Sequence, residues 1–471
     1  MRLATLPLIC ICLAFGQSAI AHESVMPVPG EPKSFAAPRI EVTPLKEGVQ
    51  LIYVQNKTTP LTRMTMVAWN GVGNEEGDNE AGLSSVGADL LLRATETQTT
   101  DAVLQTFQRL AADVQTSTRM DHTALSVDVL SETLAPTLQL LDSLFVNPKL
   151  DEADLERVRR KHLQALIQEA DEPRSLAIRK FFDVTYAGHP MQRWRTGTEA
   201  GLKALKAERL KSWQNATWTR TAVDIVVVSS LPLEEVRNAL STNLTQLLGA
   251  HSSGARPLIA ELPSPTTPAA PKLVWVDKPG ASQSVLMLGK AAVGSEAERA
   301  SRSLGNDVLG GQFSARINLN LREDKGYTYG AYSRILDYQH GSTFYSSSSV
   351  RGDVTAASLN EMLKEIREIQ KARPVTQREF GEVQTSAVLK WPSQFSPGPR
   401  LVYALVGLLR EGRDPRSLAD EVSGLQAVSI ESAQKSLNVL LTNPHPWVLV
   451  IVGDAAKWKE SVDALNWSSL L

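Results

Sequence analysis

The chain reads Leu309-Gly310-Gly311-Gln312-Phe313-Ser314-Ala315-Arg316, then Leu321-Arg322-Glu323 and, past Asp324-Lys325, Gly326-Tyr327-Thr328-Tyr329-Gly330. Gly310-Gly311 closes an apolar helical run, and glycine is the residue that accepts the left-handed geometry of a helix C-cap. Arg322 and Tyr329 stand seven residues apart across a turn at Lys325-Gly326. On composition alone the arginine is a surface cation and the tyrosine an aromatic packed on a strand. Facing a substrate, the same side chains are a guanidinium and a phenol. Both donate hydrogen bonds that strengthen as negative charge develops on a carbonyl oxygen.

Around this block lies an ordered succession of elements. Before it come apolar runs at 272–277 and 283–289 that read as strands, and a helix at about 297–309. After it come an alternating strand at 342–350, a helix from 355 to about 372 and a buried strand at 447–452. Residues 49–54 and 63–69 read as strands, 81–92 and 101–113 as helices and 124–130 as a strand. Helices at 131–145 and 151–170 and a β-branched strand at 223–228 complete the first half. The same order in both halves points to an internal duplication. Between 249 and 271 the composition shifts to Ser, Gly, Pro, Thr and Ala, which reads as an extended linker. The expected fold is α+β: two homologous domains, 22–248 and 272–471, each a mainly antiparallel sheet with helices covering one face.

At 471 residues the chain is too long for a single core. Hydrophobic residues at 42% and charged residues at 21% are ordinary for a globular chain, and the net charge of −2 offers no basic excess to neutralise a nucleic acid. Arg2, an apolar run at 6–15 and Ala19-Ile20-Ala21 come in the order of a secretory signal, so residues 1–21 are expected to be removed and the product to be periplasmic. Cys10 and Cys12 lie inside that signal, so the mature chain has neither a disulfide nor a thiolate ligand, and no later apolar run reaches membrane-spanning length. Gly71-Val72-Gly73-Asn74-Glu75-Glu76-Gly77 fails as a dinucleotide fingerprint, because its third Gly comes one place late and no βαβ unit follows.

The succession from Gly310 to Gly330 resembles the C-terminal active-site half of the pitrilysin/insulinase family of zinc metallopeptidases. The first half resembles the same family through Gly82-Leu83, Leu155-Glu156-Arg157 with Arg159, Asp171-Glu172-Pro173, Tyr186-Ala187-Gly188-His189-Pro190 and Gly197-Thr198-Glu199. Active members carry His-x-x-Glu-His, whose two histidines hold zinc and whose glutamate is the general base, with a third ligand further on. With Gly82-Leu83 setting the register, the histidine positions hold Ser85 and Asp89, the base position Ala88, and the distal ligand position falls at or near Ala165. None of the seven histidines shows ligand spacing, and His162, whose place three residues from Ala165 on a helix would let it face a similar side, reads rather as a surface or packed residue. No catalytic zinc is therefore expected in this chain.

The resemblance implies that Arg322 and Tyr329 are the pair this family aims at zinc across a substrate chamber, with Gly310, Gly311 and Phe313 in substrate handling. It further implies a clamshell half: a metal-free subunit whose partner carries His-x-x-Glu-His and the zinc, acting on peptides or unfolded polypeptides. The alternative is a non-enzymatic peptide-binding or assembly protein on an inactive peptidase fold. Hydrolysis by another nucleophile has no support, since no Gly-x-Ser-x-Gly elbow is present.

Overall fold

The computed structural model describes residues 35–470 except 76, 147, 253, 258, 260–269, 293–297, 339–340 and 396–398. The signal at 1–21, nearly all of the following arm and the 260–269 part of the linker lie outside the described residues. From Ala37 onward the chain forms one unit.

The first sheet contains β1 (Ile40–Lys46), β2 (Val49–Gln55), β3 (Leu61–Ala68), β4 (Asp113–Thr118), β5 (Thr123–Leu130) and β6 (Val223–Ser229), in the order β1-β2-β6-β3-β5-β4. The second contains β7 (Lys272–Asp277), β8 (Gln283–Ala292), β9 (Thr328–Tyr338), β10 (Gly341–Arg351) and β11 (Val448–Gly453), in the order β9-β10-β8-β11-β7. Neighbours are antiparallel except for one parallel pair per sheet, β2 with β6 and β7 with β11. Without the extra edge strand β1, the two sheets have one topology, strand for strand. The duplication is present in the fold.

Five of the helices place the sites or join the two halves: α1 (Leu83–Leu91), α2 (Glu152–Asp171), α3 (Pro173–Thr185), α4 (Arg299–Asn306) and α5 (Pro399–Arg410). The central strands β6 and β11 are buried almost throughout, so each sheet has two apolar faces to cover. On the first sheet, Met64, Met66, Leu125 and Val127 pack on Phe107, Leu138 and Trp218 from its own half. Its opposite face, with Ile52, Val67 and Val226, is covered by Leu401, Val402, Leu405 and Leu408 of α5, which comes from the second half. The exchange is reciprocal. Ala177, Phe181 and Phe182 of α3 lie on Val285, Met287 and Val450 of the second sheet. Helices therefore cover both faces of each sheet, which corrects the expectation of one covered face.

Arg256 fixes the incoming helix. Its guanidinium donates to the carbonyls of Leu409 (2.5 Å) and Arg410 (3.0 Å), the last of α5, and stacks 3.3 Å over the Trp69 ring.

Two strands differ from the sequence expectation for one reason. The helix expected to run to 113 stops at Arg109, and β4 begins at Asp113; β9 fills residues 328–338, a stretch with no element read from the sequence beyond Tyr329 as an aromatic packed on a strand. Both are edge strands, whose polar residues (Asp-Val-Gln-Thr-Ser-Thr in β4) lack a continuous buried face and so carry weak hydrophobic periodicity.

The exchanged helix leads to a test. Leu405→Ala, in the second half, should lower global stability by about 2–5 kcal/mol. Hydrogen exchange should show lost amide protection in β3 and β6 of the first half, and a loss confined to α5 would contradict the packing.

Candidate functional site

Helix α1 is set in place by groups other than the metal positions. Gly82 enters it at φ 104°, and the buried Glu75 carboxylate accepts from the backbone N–H of Gly82 (3.1 Å) and Ser84 (2.8 Å), donors the helix start leaves free. Burial raises the Glu75 carboxyl to about 7 against the lowering effect of those hydrogen bonds. At Gly87 a β-carbon would lie 2.3 Å from Cε3 of Trp213, so glycine lets α1 press flat against the helix Ala207–Thr219.

So placed, Ser85, Ala88 and Asp89 face a pocket of about 230 Å³. Ala165, Lys161 and His162 of α2 and Thr116–Thr118 of the edge strand β4 complete much of its wall. The four positions taken from the sequence as the degenerate metal site thus share one cavity. Ser85 Oγ donates to the carbonyl of Arg195 at 2.6 Å. Asp89 Oδ2 accepts from Lys161 Nζ at 2.8 Å and lies 3.1 Å from His162 Nε2. His162, expected as a surface or packed residue, belongs to this cluster. Lys161 lies one helical turn before Ala165, and that spacing is the signal in the sequence that could have found it. Burial alone would raise the Asp89 carboxyl; the hydrogen bonds and charges of His162 and Lys161 prevail and hold it at about 2.

A zinc ion does not fit this donor set. Ala88 and Ala165 offer no ligand atom, the Ser85 hydroxyl is engaged, and the one carboxylate already carries an ammonium. Glu169 accepts from Trp194 Nε1 (2.5 Å) and Thr196 Oγ1 (2.6 Å), and Glu80 is held by Arg209. Among the described residues no three of His, Cys, Asp and Glu converge as metal ligands.

In the second half, α4 runs into a π-helical turn over Asp307–Gly311. Gly310 and Gly311 do not have positive φ, so the left-handed C-cap expected from the sequence is not formed. They are small for close approach instead. A β-carbon on Gly310 would lie 2.4 Å from Ser333 Oγ of β9, and one on Gly311 2.2 Å from Asp307 Oδ1. Phe313 is exposed, and the Arg322 guanidinium lies 4.5 Å from its ring centroid, with Nε 3.2 Å from Glu323 Oε1. Tyr329 stands on a β-bulge, where Tyr329 and Gly330 together oppose Ser349; Thr328 Oγ1 pins it by donating to the Ser349 carbonyl (2.6 Å) and accepting from Gly330 N–H (3.1 Å). The phenol is 91% exposed. Asn318, which no sequence pattern singles out, clamps both pieces: Nδ2 donates to the Phe313 carbonyl (2.6 Å) and Oδ1 accepts from Ala331 N–H (3.0 Å). Neither Arg322 nor Tyr329 lines the Ser85–Asp89 pocket.

The Asp89 pKa gives a test with a definite sign. A folded value of about 2 lies below that of an unfolded aspartate, so the stabilisation is fully present above the ordinary aspartate range and is lost as pH falls through about 2. Asp89→Asn should cost about 1–3 kcal/mol at neutral pH. Denaturant titrations of variant and parent should converge as pH approaches 2.

Residues 52–199 match the description of the insulinase family (peptidase family M16), and residues 204–387 that of the peptidase M16 inactive domain. A Bacillus subtilis protein described as an uncharacterized zinc protease is 22% identical over 86% of this chain and 96% of its own length. A Helicobacter pylori protein described as a non-peptidase homolog is 20% identical over 71% and 76%. Among solved structures, a peptidase M16 inactive domain from Pseudomonas fluorescens superposes with a TM-score of 0.79 at 21% identity, covering 88% of this chain and 98% of that one. A protease from Helicobacter pylori gives 0.80 at 16% identity, covering 89% and 100%. Two sheets of one topology, a motif helix stripped of its ligands and these matches across both halves place the chain in the pitrilysin/insulinase (M16) peptidase family.

Proposed function

We propose that this chain is the metal-free subunit of an exported, heteromeric zinc peptidase of its family. It supplies Arg322 and Tyr329 to bind substrate and stabilise the transition state at a zinc held by another chain. One observation carries this reading: the metal positions hold groups zinc cannot use, while Tyr329 is held outward on a pinned bulge. A phenol 91% exposed contributes little to this chain's own core, whereas it is available to a surface brought against it. The partner carries His-x-x-Glu-His, and substrates are peptides or unfolded polypeptides lying along a sheet edge. The signal-like order of residues 1–21 supports a periplasmic location, and among the described residues no helix is long and apolar enough to cross a membrane.

A second reading has its own support. The Lys161–Asp89–His162 cluster and the relative described as a non-peptidase homolog favour a binding or assembly protein that uses the inherited fold without turnover.

Reconstitution with a His-x-x-Glu-His subunit separates the two. The chain alone, with or without added zinc, should not hydrolyse peptides. In the complex, Tyr329→Phe should lower kcat about 100-fold with KM little changed, because the lost hydrogen bond acts on charge formed in the transition state. Unchanged kcat would leave the assembly role standing. Since Tyr329 is exposed, the variant should fold normally, which circular dichroism checks.

A further inference from the structure

The Ser85–Asp89 pocket carries an excess of positive charge. Three cations line it, Arg119, Lys161 and Arg195, against the single carboxylate of Asp89. That carboxylate takes up only part of the charge. Lys161 Nζ donates to Asp89 Oδ2 at 2.8 Å, and an ammonium has three protons, so two remain on a side chain that is 65% exposed. Arg119 and Arg195 are exposed, and neither side chain has an ion pair or a hydrogen bond among the described residues. The donors are open to an incoming ligand.

What this cleft does to a carboxylate is visible in Asp89 itself. Burial would raise its carboxyl, yet Lys161 and His162 hold it at about 2. A second carboxylate entering the pocket meets the two remaining ammonium protons and a guanidinium fork. Hydrogen bonds between ionised partners are roughly twice as strong as neutral ones, and a guanidinium matches the plane of a carboxylate. A cationic ligand meets the opposite, since the one carboxylate present already carries an ammonium.

The opposite wall indicates what the carboxylate is attached to. Arg119 N–H donates to the His122 carbonyl at 2.8 Å, so the odd-numbered residues of β4 face β5 and the main chain of Thr116 faces the other way. Thr116 lines the pocket, and its N–H and carbonyl have no main-chain partner outside β5 among the described residues. Such an edge pairs with extended main chain. A volume of about 230 Å³ lies below the range of pockets that enclose a whole drug-sized ligand and suits one terminal residue. We propose that this cleft captures the C-terminal residue of an extended peptide. The terminal carboxylate accepts from Lys161 and Arg195, and the preceding main chain pairs with Thr116. Capture requires neither zinc nor a partner chain, so it stands or falls separately from the role of Arg322 and Tyr329.

Calorimetry of the full chain with N-acetyl-trialanine, its C-terminal amide, acetate and inorganic phosphate tests this. The free acid should bind at least about tenfold more tightly than the amide, which lacks the charge. It should also bind more tightly than acetate or phosphate, which have no main chain to offer β4, and hydrogen exchange at the Thr116 amide should slow when it is bound. Lys161→Met and Arg195→Gln should each weaken the free acid. Asp89→Asn should tighten it, because the Lys161 ammonium is released, even as the folded chain loses stability. Equal affinity for acid and amide, no binding of the acid, or acetate or phosphate binding as tightly as the peptide overturns the proposal. Those comparisons use the unmodified chain, so they decide even if a variant fails to fold.

Discussion

A sheet whose central strands are apolar on both sides has to be covered on both sides, and in this chain each half covers one face of the other's sheet. Strands β6 and β11 impose the requirement; α3 and α5 meet it by crossing over. Each large apolar side chain buried this way contributes about 1.5–3 kcal/mol. Several of them on α5 (Leu401, Val402, Leu405 and Leu408) are comparable with the whole net stability of an ordinary domain. Contacts between domains within one chain are usually more polar and permit relative motion. Here the contact is core. The two sheets behave as parts of one body, and the sites on them are held at fixed separation.

That rigidity explains how the first cleft keeps its shape without a metal. The residues that set α1 in place are Gly82, Gly87 with Trp213, and Glu75, none of them at a position where the family carries a ligand. Framework and chemistry are carried by different side chains. The ligand positions could therefore be replaced without disturbing the fold, and Asp89 acquired an internal counter-cation in Lys161. Lys161 keeps the partly buried carboxylate from standing alone, which would be costly in a cleft of this kind.

Much of the fold was legible in the sequence, because β2, β3, β6, β8 and β11 announce themselves as apolar runs. The edge strands β1, β4 and β9 were not, since polar residues interrupt their apolar face, whereas the edge strand β7 was read at 272–277. The exchange of α3 and α5 was also illegible. Periodicity reports that a helix has an apolar face, and says nothing about which sheet it meets. At the sites, the register set by Gly82-Leu83 was enough to bring Ser85, Ala88, Asp89 and Ala165 to one cavity. The partners of Asp89 did not emerge from that register, although Lys161 shares a helical face with Ala165. Gly310-Gly311 showed that small residues were needed there but not why. A left-handed cap and a close approach to Ser333 call for the same amino acid, and only the path of β9 separates them.

The crossing of α5 also orders events during synthesis. The strands of the first sheet are all complete by Ser229, whereas the helix that covers their second face ends at Arg410. For about 180 residues of elongation, a finished sheet presents Ile52, Val67 and Val226 to whatever surrounds the nascent chain. Exposed apolar sheet surface of that kind invites association with other chains. The partly made protein therefore carries an apolar face that its finished surface does not reveal.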